Sequence, residues 1–307
     1  MGFRDAMNNY FYGRQGQADM TAADLPANRL ELFFTVLKVR WSGLVGVNLL
    51  YLVAWIPAIA WTALNLISLY GLQARGFTPE DVSGLAATWL MILAPCIAIT
   101  GPFTAGVTFV LRNWARDEHS FVLSDFKDAV KGNWRQALPV SAISGALPFL
   151  SYTAIRFYSG LSHGNPLMGA LPGVVLMVAA VWSMMTMVIY DMMVTYRLRL
   201  VDLMRNSLLL TLSKLPFAVG IRLLTLALPM IALAVSALSP GLAGYAALVL
   251  GLAYLLFVPA LNKLIEVSYA NWLCETYLNP RIEGARTDIG LRPKDWDDTE
   301  YRPEDDA

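Results

Sequence analysis

Charge is what this sequence has least of. Only 15% of its 307 residues are Asp, Glu, Lys or Arg, against about 25% in soluble domains. Histidine occurs twice and cysteine twice. His119 is followed by Ser120 and His163 by Gly164, so neither opens a His-Glu-x-x-His zinc helix. No lysine follows a glycine, which excludes a Walker A loop. No Cys-x-x-Cys pair exists, and Cys96 and Cys274 form no disulfide framework; both read as small apolar residues. These absences leave no metal, cofactor or catalytic pattern, and the chain reads as a non-enzyme. The 23 basic and 23 acidic residues cancel, so nothing points to a nucleic-acid partner.

What is present is apolar length. Hydrophobic residues make up 56% and the mean hydropathy is +0.50. Five runs carry no formal charge: 41–74, 82–111, 136–155, 157–190 and 223–262. A bilayer core of about 30 Å takes about 20 helical residues. The runs lack the alternation of a lipid-facing barrel, so helices are expected. The expected fold is an all-α integral membrane protein with spans near 43–71, 84–112, 137–158, 168–196, 208–238 and 242–277. Ser239-Pro240-Gly241 separates the last two.

All but three of the Lys and Arg residues fall on one side of those spans. Arg112, Arg116, Lys127, Lys131 and Arg135 lie between the second and third; Arg197, Arg199, Arg205 and Lys214 lie between the fourth and fifth. Arg75 and Arg156 are on the other side, and Arg222 is inside the fifth span. Basic loops stay cytoplasmic, which puts both termini in the cytoplasm of a bacterial plasma membrane protein. The opposite loops, near 73–82, 158–166 and 239–241, are short. The polar first 40 residues show no cleavable signal peptide, and Ala6 stands where a myristoylation motif needs Ser or Thr.

Each odd-numbered span is preceded by an amphipathic segment. The first is 26–40, with Asp24 as cap, Pro26 early in the helix and Leu30, Phe33, Phe34 and Leu37 on one face. The second is 124–135, capped by Ser124, with Phe126, Ala129, Val130 and Trp134 as its apolar stripe. The third, 201–212, is more apolar and can merge with the fifth span. Three hairpins, each led by a basic surface helix, are therefore expected, and such helices attract anionic lipid headgroups. The domains read as a cytoplasmic segment 1–25, a membrane domain 26–280 and an acidic, partly disordered tail 281–307.

Several polar or helix-breaking residues lie at span depth. Thr100-Gly101-Pro102 interrupts the second span, with Pro95 one face-repeat earlier and Thr104 able to offer a hydroxyl to the opened turn. A packing kink and a broken helix lining a transport site both fit. Asn48, Asp191, Arg222 and Glu266 are the remaining candidates. An Arg222–Asp191 pair fastening two helices competes with a ligand site. Gly160-Leu161-Ser162-His163-Gly164 matches the nucleophile-elbow letters, but in a loop between membrane helices rather than after a strand. His119 reads as a solvated loop residue. Seven of the 13 methionines fall between Met168 and Met193 without His or Cys beside them, which reads as flexible packing. Gly241, Gly244 and Gly251 read as close-contact positions.

Several stretches carry a family resemblance: Asn8-Asn9-Tyr10-Phe11-Tyr12-Gly13, Val45-Gly46-Val47-Asn48-Leu49-Leu50-Tyr51, Gly101-Pro102-Phe103-Thr104-Ala105-Gly106, Asn113-Trp114-Ala115-Arg116-Asp117-Glu118 and Asn133-Trp134-Arg135-Gln136. Together the chain resembles the YesL family, bacterial multispanning membrane proteins built on a domain of unknown function. The resemblance implies an accessory or regulatory role in carbohydrate uptake, with the membrane subunits of a sugar ABC transporter or a sensor kinase as partners. It supplies no catalytic residues. The rival reading is a small-molecule transporter or channel with its site at the second span.

Overall fold

The computed structural model describes residues 25–76, 78–161 and 166–292. They form α1 (Arg29–Val39), α2 (Trp41–Arg75), α3 (Pro79–Ala115), α4 (Val122–Leu161), α5 (Pro166–Thr195), α6 (Leu200–Ser213), α7 (Leu215–Leu238), α8 (Ala243–Leu256) and α9 (Val258–Tyr277), with single 3-10 turns at Pro240–Leu242 and Asn279–Arg281. The fold is an all-helical multispanning membrane bundle. Helices α2, α3, α4, α5 and α7 are each long and apolar enough to cross a membrane. Helices α8 and α9 meet that test only together and are bent by 62° where they join.

Charge does not mark the helix boundaries: a helix runs on through the basic stretch 127–135. The expected surface helix 124–135 and the third span are one helix, α4, because nothing between Arg135 and Ala137 breaks the backbone. Its first turn is not capped by Ser124. Asp125 reaches back instead, accepting from the Phe121 backbone N–H at 2.9 Å and the Ser120 hydroxyl at 2.6 Å. Trp134, expected on its apolar stripe, is exposed. The first surface helix starts later than expected. Its cap is Asn28, which accepts from Glu31 N–H at 2.9 Å, and Asp24 lies outside the described residues. Helix α6 does not merge with the fifth span; the chain leaves helical geometry at Lys214 (φ −131°, ψ 42°). Helix α3 starts at Pro79 because Thr78 and Asp81 cap each other reciprocally.

Packing is concentrated at the end of the bundle that carries the basic loops. One core cluster joins Leu44, Val47, Val107, Val110, Leu111 and Leu264; another joins Met187, Ile189, Met192, Leu203, Ala270 and Leu273. The methionines of α5 therefore pack, as their composition suggests. At the other end apolar side chains such as Ile67, Leu233 and Leu248 stand exposed. In water such faces would aggregate, whereas acyl chains solvate them.

The most extensive helix pairing is α3 with α4, between the first two expected hairpins rather than within one. Glycine makes it possible. A Cβ on Gly101 would lie 2.5 Å from the Ala137 carbonyl oxygen, and one on Gly145 would lie 2.4 Å from that of Ala94. Around Gly241, Gly244 and Gly251 a Cβ would meet nothing within 4 Å. The close-contact role expected of those three belongs to Gly101 and Gly145. Gly101→Ala is accordingly expected to lower thermal stability in detergent by about 1–3 kcal/mol, since backbone cannot yield as a side chain can. Gly244→Ala should leave the melting temperature unchanged or raise it.

The segment after α9 is attached, not free, as far as residue 292. Arg29 of α1 forks onto the Glu275 carboxylate and also donates to the Ile289 carbonyl at 2.7 Å. Arg292 N–H donates to the Pro26 carbonyl at 3.0 Å. The rest of the acidic tail, from 293 on, and the segment 1–24 lie outside the described residues, as do Ser162, His163 and Gly164 of the elbow-like letters.

Candidate functional site

The break in the last span is built by a proline and satisfied by an asparagine from another helix. Pro259 has no N–H, so the carbonyl of Leu255, four residues earlier, has no helical donor. Phe257 takes non-helical backbone (φ −155°, ψ −20°) and ends α8. Freed backbone groups at membrane depth must find partners inside the protein. Asn48 of α2, fully buried, provides them. Its Nδ2 donates to the carbonyls of Tyr254 at 3.0 Å and Leu255 at 2.9 Å, and its Oδ1 accepts from Ala260 N–H at 2.9 Å. One primary amide thus stands in for the peptide hydrogen bonds that the bend removes.

The same device recurs twice. Pro229 frees the Thr225 carbonyl, which accepts from Asn262 Nδ2 at 2.9 Å. Pro102 frees the Ala98 carbonyl, which accepts from the Ser141 hydroxyl at 2.6 Å. As a result α3 runs unbroken through Thr100, Gly101 and Pro102. The sequence expectation of an interrupted second span is corrected here: Ser141, across the close α3–α4 contact, supplies the missing donor. Thr104 bonds within its own helix to the Thr100 carbonyl at 2.9 Å and shares a 2.8 Å hydrogen bond with the Tyr51 hydroxyl. The broken span is the last one.

Two turns past the bend, α9 carries a buried charge cluster. Glu266 accepts from Arg222 Nη1 of α7 at 2.9 Å on one oxygen and from Lys263 Nζ at 2.6 Å on the other. Arg222 also donates to the Ser183 carbonyl of α5. The Lys263 ammonium lies 5.4 Å from the centre of the Tyr190 ring. The cluster therefore ties α5, α7 and α9 together. Its depth is modest, because Arg222 is seven residues, about 10 Å, inside the start of α7.

The expected Arg222–Asp191 pair is not formed. Arg222 meets α5 at Ser183 and Thr186, whereas Asp191 lies five to eight residues further along that helix, so Glu266 is the carboxylate at the level of the guanidinium. Asp191, 1% exposed on α5, faces Cys274 Sγ at 4.0 Å, and its Oδ1 has no hydrogen-bond partner among the described residues. Just outside the span, Tyr196 donates to Asn279 Oδ1, and burial pushes its phenol above the ordinary value. Cys274 is buried and, like Cys96, unpaired in any disulfide. His119 is exposed and packs edge-on against Phe121. No group of three His, Cys, Asp or Glu side chains is placed to hold a metal ion among the described residues.

Between α2, α8 and α9 the bend leaves a cavity of about 650 Å³, within the range of small-molecule sites. Leu52, Trp55 and Ile59 form one wall; Gly251, Tyr254 and Leu255 form the facing one; Tyr51, Asn262, Lys263 and Glu266 gather at one end. Ile59 and Leu255, on the rim, are more than half exposed on lipid-side faces. Toward the basic end of the bundle no residue of α9 beyond Glu266 lines the space, and Ala270 and Asn271, one turn further, are buried. Gly101 and Pro102 do not line it.

Asn48 and Glu266 were singled out from the sequence, and the structure places both at this site. Lys263, Asn262 and Tyr51 were not. The available signal was the spacing Pro259, Asn262, Lys263, Glu266, which puts a helix break and three polar groups on successive turns.

The family model described as "Protein of unknown function, DUF624" matches residues 44–154. That stretch covers most of α2, all of α3 and most of α4, so Asn48, Gly101 and Ser141 fall inside it and the bent helices fall beyond it. No curated protein and no solved structure matches the chain.

Proposed function

We propose that this chain is a plasma-membrane protein that binds a small ligand at its bent last span and serves carbohydrate uptake as an accessory or regulatory component, not as the permease. The observation that carries the binding role is the cavity at the bend. It has an apolar body, a polar end and a packed core directly beyond Glu266. Irregular backbone at membrane depth is kept where it lines such a space. A blind cavity suits recognition; translocation needs a continuous path. The walls also lack the dense hydrogen-bonding groups that a sugar requires for its hydroxyls.

The link to uptake rests on the YesL-like stretches, all of them in the first half of the chain. Crosslinking in native membranes followed by purification should recover the membrane subunits of a sugar transporter or a sensor kinase. Recovery of neither would overturn that link. In proteoliposomes the purified protein should move no sugar; flux abolished by Lys263→Met would overturn the accessory role in favour of transport.

The basic end is proposed to face the cytoplasm. A cysteine placed within 158–166 should then react with an impermeant maleimide in intact cells. Reaction only after lysis would reverse the orientation.

A further inference from the structure

The cavity's chemistry narrows its occupant. We propose that it holds one anionic phospholipid drawn from the leaflet on the basic side, with acyl chain along the α2–α8 wall and phosphate at Lys263. The inference rests on the binding role given to this cavity above and names the ligand class.

Three observations support it. First, the cavity is segregated like an amphiphile: apolar walls run from the exposed rim at Ile59 and Leu255 to a polar end at Lys263. Second, the charge at that end is unbalanced. Glu266 is shared between Arg222 and Lys263, two cations against one carboxylate. Asp191 is within electrostatic reach of Lys263 but is sealed from solvent and forms no part of the cavity wall. An excess cation in a low-dielectric site favours an anionic partner. Third, the rim opens on lipid-side faces, so the ligand enters from the bilayer. Basic pockets between membrane helices on the cytoplasmic side are known lipid headgroup sites.

The test uses the full-length protein in mild detergent, incubated with phosphatidylglycerol or with phosphatidylcholine, and counts retained lipid by native mass spectrometry. Wild type should retain a single phosphatidylglycerol in preference to phosphatidylcholine by about fivefold, the worth of one cation near a headgroup. Lys263→Met should bring that preference close to parity. This variant leaves Arg222 and Glu266 as a balanced pair and should still fold. Ile59→Trp, which blocks the rim, should reduce retention of both lipids.

A preference that survives Lys263→Met, or that vanishes in Lys127→Gln/Lys131→Gln on the exposed start of α4, would overturn the proposal and place the lipid on the surface. Should octanol raise the melting temperature of wild type and not of Ile59→Trp while neither lipid is retained, the lipid assignment fails and the cavity remains a ligand site. Should Ile59→Trp change neither lipid retention nor the response to octanol, both readings fail.

Discussion

Glu266→Gln is expected to destabilise the bundle by about 3–5 kcal/mol, the cost of stranding a buried charge by removing its partner. Two cations depend on that carboxylate. Arg222 Nη1 and Lys263 Nζ lie 2.9 and 2.6 Å from its oxygens. A neutral amide cannot offset both, and Arg222 is fixed by α5 through the Ser183 carbonyl. The measurable result is a large drop in melting temperature in detergent, with poor accumulation in membranes. The pair itself is weak evidence of net stability, because burying ions costs several kcal/mol each. The triple variant Arg222→Met/Lys263→Met/Glu266→Gln should therefore recover most of the loss. If Glu266→Gln alone melts like wild type, the cluster does not hold α5, α7 and α9 together.

Asn48→Leu has the second largest expected effect. Leucine keeps the branched outline and heavy-atom count of asparagine but removes one acceptor and two donor interactions at the bend. Each unsatisfied buried backbone group costs about 1–3 kcal/mol, and water cannot substitute at this depth. A loss of several kcal/mol is expected at a bend whose own residues, in α8 and α9, are unchanged. Asn48→Gln should not rescue it, since the longer side chain cannot meet the Tyr254 and Leu255 carbonyls and the Ala260 N–H from one position. Equal stability of Asn48→Leu and wild type would show that the bend is satisfied by other means.

How much of this was legible in the sequence differs by kind of feature. Spans were, because 41–74 or 82–111 can be nothing but membrane helix at that length and composition. Asn48 was, because a polar group inside such a run demands a reason; Glu266 was, as an ionisable group within the last expected span, just past the run 223–262. The partners were not. Asn48 acts on residues more than 200 positions away, and no local pattern reports that. Gly101-Pro102 reads as a break because proline does free a carbonyl; the repair comes from Ser141, visible only once α3 and α4 are packed. Conversely, the real bend at Phe257 sits inside the featureless run 223–262, where Pro259 is one proline among several. The choice of Glu266 over Asp191 as the Arg222 partner depends on how far α5, α7 and α9 slide along one another: Arg222 meets α5 at Ser183, about 12 Å short of Asp191, and only tertiary packing sets that offset.

The bent last span underlies the cavity, the Asn48 bridge and the proposed ligand, so the bend itself is the feature to measure. Spin labels on Tyr245→Cys and Thr276→Cys, both exposed, can be placed in the full-length protein in nanodiscs and their separation read by pulsed electron resonance. With 1.5 Å per residue along each arm and the 62° bend, the backbone separation should be about 40 Å. A straight span would give about 46 Å, and a distribution centred there would contradict the account.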